Sequence, residues 1–157
     1  MGAFAITHKA DHRLTRIITP VSVQQSKEYC ALKDFTAYPI DALAMWDTGA
    51  KLTYISYKLA SALKLIKVNS LELTSIHNRA FTDVFLIDIT LPDNTAMIGN
   101  IMAAAVDTGN EFDIIIGMNI ISLGDFAITN DDGKTVFSFR LPASNLPIDF
   151  SKIEDTV

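Results

Sequence analysis

Cys30 is the single cysteine in the 157-residue chain. An intrachain disulfide, a paired-cysteine zinc site and a CxxC redox pair are therefore excluded, and the usage fits a reducing compartment. Basic residues are few: 13 Lys and Arg stand against 18 Asp and Glu, a formal net charge of -5. Phosphate binding needs a local cationic excess, so nucleic acid is not the expected partner. Met1 to Ala10 lacks a basic stretch followed by an apolar one, and no apolar run approaches membrane-spanning length. The expectation is a cytoplasmic protein with no membrane partner.

Histidine is also scarce, with three in the chain. His8 and His12 stand four apart with Asp11 between them, but a third ligand is missing, so a solvated N-terminal segment is expected and no metal. Glycines form neither a phosphate-binding loop nor a dinucleotide fingerprint, which leaves no cofactor. No serine sits in a Gly-x-Ser-x-Gly elbow, and Cys30 has no histidine in a defined relation to it.

What the chain does have is apolar residues, 49% against 20% charged, which suits one folded domain over 1–157. Its core is expected over about 15–140, with a polar tail over about 141–157. Arg16 to Val23 and Thr36 to Trp46 are rich in β-branched and aromatic residues and read as strands. Thr53 to Ile55 is a short strand, after which Ser56 can cap a helix from Tyr57 to about Lys64, with Leu59 and Leu63 on one face. Phe81, Phe85, Ile87, Ile89 and Leu91 share one face of a strand, and Pro92 to Thr95 turns it back into a second arm over Ala96 to Val106. Ile114 to Ile116 is a compact buried strand. A short helix over Met118 to Leu123 stops at Gly124, and Phe126 to Phe139 makes a last hairpin around Asn130 to Gly133. There is no repeat at solenoid period. The total is a mainly β chain with one regular and one short helix.

Two segments carry chemistry. Ala44-Met45-Trp46-Asp47-Thr48-Gly49-Ala50 delivers an aspartate at the end of an apolar strand, and Ile115-Ile116-Gly117-Met118-Asn119-Ile120-Ile121 follows about 70 residues later. Together they resemble the retropepsins, the retroviral-type aspartic peptidases and their bacterial or phage relatives, over roughly Thr36 to Thr129. The resemblance implies a single-lobed acid-protease β-barrel, closed or partly open. It implies Asp47 as the catalytic residue, with Thr48, Gly49, Ala50, Thr53, Ile116, Gly117 and Asn119 supporting its loop. It further implies a hairpin flap whose tip is Ser75, Ile76, His77, Asn78, Arg79 and Ala80, a peptide or protein substrate, and a homodimer with the active site on its two-fold axis.

The chemistry explains the dimer. Hydrolysis of a peptide bond through a bound water needs a base for the water and an acid for the departing amine, and one carboxylate cannot begin in both states. Two carboxylates about 3 Å apart share one proton and fill both roles. A chain with one such aspartate borrows the second from its copy.

A second Asp-Thr-Gly, at Asp107 to Gly109, does not make a second lobe, because Gly117 follows it with no room for a flap. It reads as a polar turn. Retroviral members commonly carry a paired Asp and Arg where this chain has Lys51 and Met118, and the joint loss leaves no lone buried charge. The alternative to an endopeptidase is a non-catalytic module of the same fold, kept for dimerisation or peptide binding.

Overall fold

The structure is a computed structural model and describes residues 3–74, 79–149 and 151. Its strands are β1 (Phe4–Lys9), β2 (Ile17–Gln25), β3 (Ile40–Trp46), β4 (Thr53–Ser56), β5 (Asn69–Thr74), β6 (Arg79–Thr90), β7 (Met97–Val106), β8 (Ile114–Ile116), β9 (Asp125–Asp131) and β10 (Lys134–Leu141). Its helices are α1 (Lys27–Lys33), α2 (Tyr57–Ala62) and α3 (Met118–Ile121), with a 3-10 turn at Pro92–Asn94. One sheet runs β2-β3-β8-β4-β7-β6-β5, and β2 also pairs with β6, so its first six strands close on themselves as a barrel. A smaller sheet, β1-β10-β9, lies beside it. Among the described residues no helix is long and apolar enough to cross a membrane.

The barrel hides a two-fold repeat. Trp46 pairs in parallel with Ile116, and Ser56 pairs in parallel with Val106. Adding 60 to 46 and to 56 gives 106 and 116, so one ladder maps onto the other. Tyr54 opposite Ile115 and Ile55 opposite Ile114 map onto each other by the same shift, which puts the local axis between them. β2, β3 and β4 thus correspond to β6, β7 and β8, and the two Asp-Thr-Gly turns occupy equivalent corners.

Val23, Ile55, Ile87, Ile89, Ile114, Ile116 and Ile120 are buried in the core. The indole of Trp46 leads into the aromatic layer under the smaller sheet, with its ring centroid 4.8 Å from Phe139 and 5.1 Å from Phe137. The same indole N–H donates to Thr19 Oγ1 at 2.9 Å, which meets the need of a buried Trp for a partner. Trp46 is thereby a joint between the two sheets.

Two elements go beyond the sequence reading. β1 pairs with β10 over Phe4 to Lys9, burying Ile6, so His8 sits on a strand and the four-residue spacing to His12 is not helical. The helix count of one regular and one short is corrected by α1. Ser26 Oγ accepts from Tyr29 N–H at its start, and Asp34 closes it with a left-handed φ of 53°. What hides this helix in the sequence is its approach: Gln24 and Gln25 look like loop residues but are buried. Gln25 donates from Nε2 to Leu86 O at 2.6 Å and accepts at Oε1 from Ile66 N–H at 2.8 Å.

α1 also explains Asp88. Strand alternation puts it on the face opposite Ile87 and Ile89, yet it is only 2% exposed, because α1 covers that face of β6. Its carboxylate accepts from the backbone N–H of Lys27 and of Asn100, both at 2.9 Å, and from Gln24 Nε2 at 3.3 Å. Asp88→Ala strands these donors away from water, each worth about 1–3 kcal/mol when unpaired. The expected outcome is a loss of about 3 kcal/mol or more, read as a lower urea midpoint with an unchanged slope. An unchanged midpoint contradicts the assignment.

Candidate active site

β3 ends at Trp46, and the chain must leave the barrel there because Ile116, its partner on β8, also ends its strand. Asp47 N–H makes one last bond across, to Ile116 O at 3.0 Å. The aspartate then folds its side chain back: Oδ1 accepts from Gly49 N–H at 2.8 Å, and its own carbonyl accepts from Ala50 N–H at 3.2 Å. This is an Asx turn. A Cβ on Gly49 would come 3.2 Å from Asp47 Oδ1, so a side chain there crowds the carboxylate.

The loop is stitched from below. Met118 N–H donates to Ala50 O at 2.7 Å and Asn119 N–H to Lys51 O at 3.2 Å. Thr53, fully buried, donates its hydroxyl to Asn119 Oδ1 at 2.9 Å and accepts from Gly117 N–H at 3.4 Å. Gly117 lies so close to the loop that a Cβ would stand 2.1 Å from Leu52 O and 2.8 Å from Ala50 O. The structure therefore brings Asp47, Gly49, Ala50, Thr53, Ile116, Gly117 and Asn119 together. Thr48 is exposed at the crest of the turn.

Asp47 is half-buried and opens onto a cleft of about 340 Å³ that Leu14, Arg16, Ile17, Met45 and Ile128 also line. Sequence reasoning did not single out Leu14, Arg16 or Ile128. Arg16 could have been found from strand register, since Ile17 pairs with Trp46 and Arg16 therefore stands next to Asp47. Lys51 is exposed and Met118 is 36% exposed.

The proposed flap falls on the β5–β6 hairpin, which pairs from Asn69 opposite Val84 to Thr74 opposite Arg79. Its expected tip, Ser75, Ile76, His77 and Asn78, lies outside the described residues. Arg79 and Ala80 open β6. The hairpin stem is anchored to the barrel by the Thr82 hydroxyl, which donates to Ala105 O at 2.5 Å, and its two arms are tied to each other by a 2.6 Å pair between Lys67 and Asp83. Phe81, expected on the buried face, is 76% exposed because it lies beyond the barrel on this stem.

Asp107 shows what the tripeptide dictates unaided. Gly109 N–H donates to Asp107 Oδ1 at 3.0 Å, the same Asx turn as at Asp47. The difference lies beneath. The position that corresponds to Gly117 is Tyr57, the first residue of α2, and its large side chain is 57% exposed. Asp107 itself is exposed. Asparagine keeps the turn's acceptor, so Asp107→Asn is expected to leave thermal stability and any peptide cleavage within about twofold of the parent. A large loss of cleavage with intact folding would assign Asp107 a chemical role.

Cys30 is a poor nucleophile. Burial, and then the Asp88 carboxylate, push its thiol up, away from the thiolate that reacts. Among the described residues no group of three or more His, Cys, Asp or Glu is placed to hold a metal ion.

No protein-family model matches the chain, and a comparison with curated proteins gives no match in sequence. Among solved structures the chain is similar to a retropepsin-like aspartic protease from Rickettsia conorii, with a TM-score of 0.52. The two share 12% identity over 88% of this chain and 95% of that one. At that identity the likeness is one of architecture: this is a mainly β chain with a closed six-strand barrel, consistent with the retropepsin-like fold.

Proposed function

We propose that the chain is a homodimeric aspartic endopeptidase in which the Asp47 carboxylates of two copies hold a water between them and hydrolyse a peptide bond. The observation that carries this reading is the locked loop at Asp47. A half-buried carboxylate opens onto a cleft, while Gly117 and the Thr53–Asn119 bond fix the backbone beneath it. Fixed geometry is what positions a general base within hydrogen-bond reach of its proton. The likeness in fold to an aspartic protease supports the same class of reaction.

In this reading one carboxylate of the pair takes the water's proton as the oxygen attacks the scissile carbonyl. The other donates its proton to the departing amine nitrogen, and the pair ends with one proton again. Thr48, exposed at the crest of each turn, bridges the two loops across the axis, and Gly49 leaves room for the peptide. The β5–β6 hairpin covers the peptide, which lies extended against strand edges. Activity from a shared proton rises and falls across an acidic to near-neutral window.

The decisive experiment pairs oligomeric state with cleavage of a peptide library by the protein and by Asp47→Asn. Equal cleavage by both overturns the reading. A dimer with no cleavage by either leaves the non-catalytic peptide-binding module in its place.

A further inference from the structure

Among the described residues, one cation lines the cleft at Asp47. Arg16 precedes β2 and lines the cleft beside Asp47, with Leu14, Ile17, Met45 and Ile128 supplying apolar walls. A long, half-exposed arginine side chain keeps one direction only where something holds it. Glu111 does: its Oε2 pairs with Arg16 Nη1, and both side chains stay half-exposed, 51% and 63%. The carboxylate comes from the β7–β8 loop, which the second Asp-Thr-Gly shapes. Thr108 Oγ1 donates to Phe112 O at 2.7 Å and Gly109 N–H to Asp107 Oδ1 at 3.0 Å, so Glu111 projects from a braced turn and not from a slack one.

The pair does not use up the arginine. A guanidinium presents five N–H donors on two edges, and Glu111 engages Nη1 alone among the described residues. The remaining donors keep the planar fork that binds a carboxylate in two-point fashion. We propose that Arg16, oriented by Glu111, is a specificity-determining residue of the Asp47 cleft that selects peptides bearing a carboxylate near the bond placed over Asp47. This rests on the peptide-binding part of the function proposed above. The carboxylate is that of an Asp or Glu side chain or that of a peptide C-terminus, which the same fork fits equally well. The overall charge of -5 repels acidic ligands at long range, so a preference for them has to come from a local cation.

The test is direct binding, which does not depend on turnover. Fluorescein-labelled peptides in matched pairs, internal Glu against Gln and C-terminal acid against C-terminal amide, are titrated with the Asp47→Asn protein and followed by anisotropy. One member of at least one pair, the carboxylate, is expected to bind about tenfold tighter than its neutral mate. Adding Arg16→Gln removes that preference while the neutral peptides bind as before, and adding Arg16→Lys restores part of it through charge alone. The proposal is overturned if the parent does not discriminate or binds none of the peptides, if Arg16→Gln weakens all peptides equally, or if it dissociates the dimer and leaves the preference intact. Cleavage without a carboxylate preference would keep the peptidase reading and remove this one, and a preference without cleavage would do the reverse.

Discussion

Asp47→Asn is expected to lower peptide cleavage by about a thousandfold, the middle of the range for removing a positioned acid or base, without moving the thermal midpoint. The second half of that expectation follows from the turn. Asp47 uses Oδ1 to accept from Gly49 N–H, and an asparagine Oδ1 accepts the same bond, so the loop and its stitches to Ala50, Lys51 and Thr53 persist. What is lost is a carboxylate that can carry or release a proton.

A mixture sharpens the result. If equal amounts of parent and Asp47→Asn chains are unfolded together and refolded, random pairing makes about one quarter of the dimers fully parental. A site needing both carboxylates then retains about one quarter of the parent's activity, whereas independent monomers retain about one half. Activity near one half would reject the shared site even if Asp47 proved essential.

Much of this site was legible in the chain, for a local reason. In both Asp-Thr-Gly segments the aspartate folds its side chain onto the N–H of the glycine two residues on, at Asp47 and at Asp107 alike. The sequence therefore predicts the turn twice and cannot choose between the two from the tripeptide. The choice comes from what lies beneath, and there Ile116-Gly117 against Ser56-Tyr57 is visible in the sequence once the partners are known.

What stayed hidden depends on tertiary covering. Asp88 looks like a solvent-facing spacer because strand alternation says nothing about a helix laid over the outer face, and α1 announces itself only by a serine cap after two glutamines. The two-fold repeat is equally quiet. Beyond the tripeptide, Ala44 and Ala104, Ile55 and Ile115, and Leu63 and Leu123 are the identities within 43–64 at the shift of 60. Ladder pairing constrains backbone register and inward volume, and many apolar residues satisfy both.

Gly117→Ala is expected to cost about 4 kcal/mol or more, at the extreme of single substitutions, and to leave little folded protein at 37 °C. The cause is contact and not backbone freedom. Gly117 has a φ of -97°, which any residue adopts, but the added methyl would stand 2.1 Å from Leu52 O and 2.5 Å from Leu52 C. Both atoms belong to the backbone between Asp47 and Thr53, so relief means moving the loop that carries the aspartate. Gly109→Ala is the control with the opposite character. Its φ of 72° is strained for alanine, yet no atom lies within 4 Å of the new methyl, so about 1 kcal/mol is expected. Urea midpoints of the two variants check the ordering. Where partial folding of Gly117→Ala can be rescued at low temperature, its peptide cleavage should remain depressed relative to the folded fraction, because the methyl and the Asp47 loop compete for one space. Full activity per folded molecule would show that the loop does not need Gly117 to hold its shape.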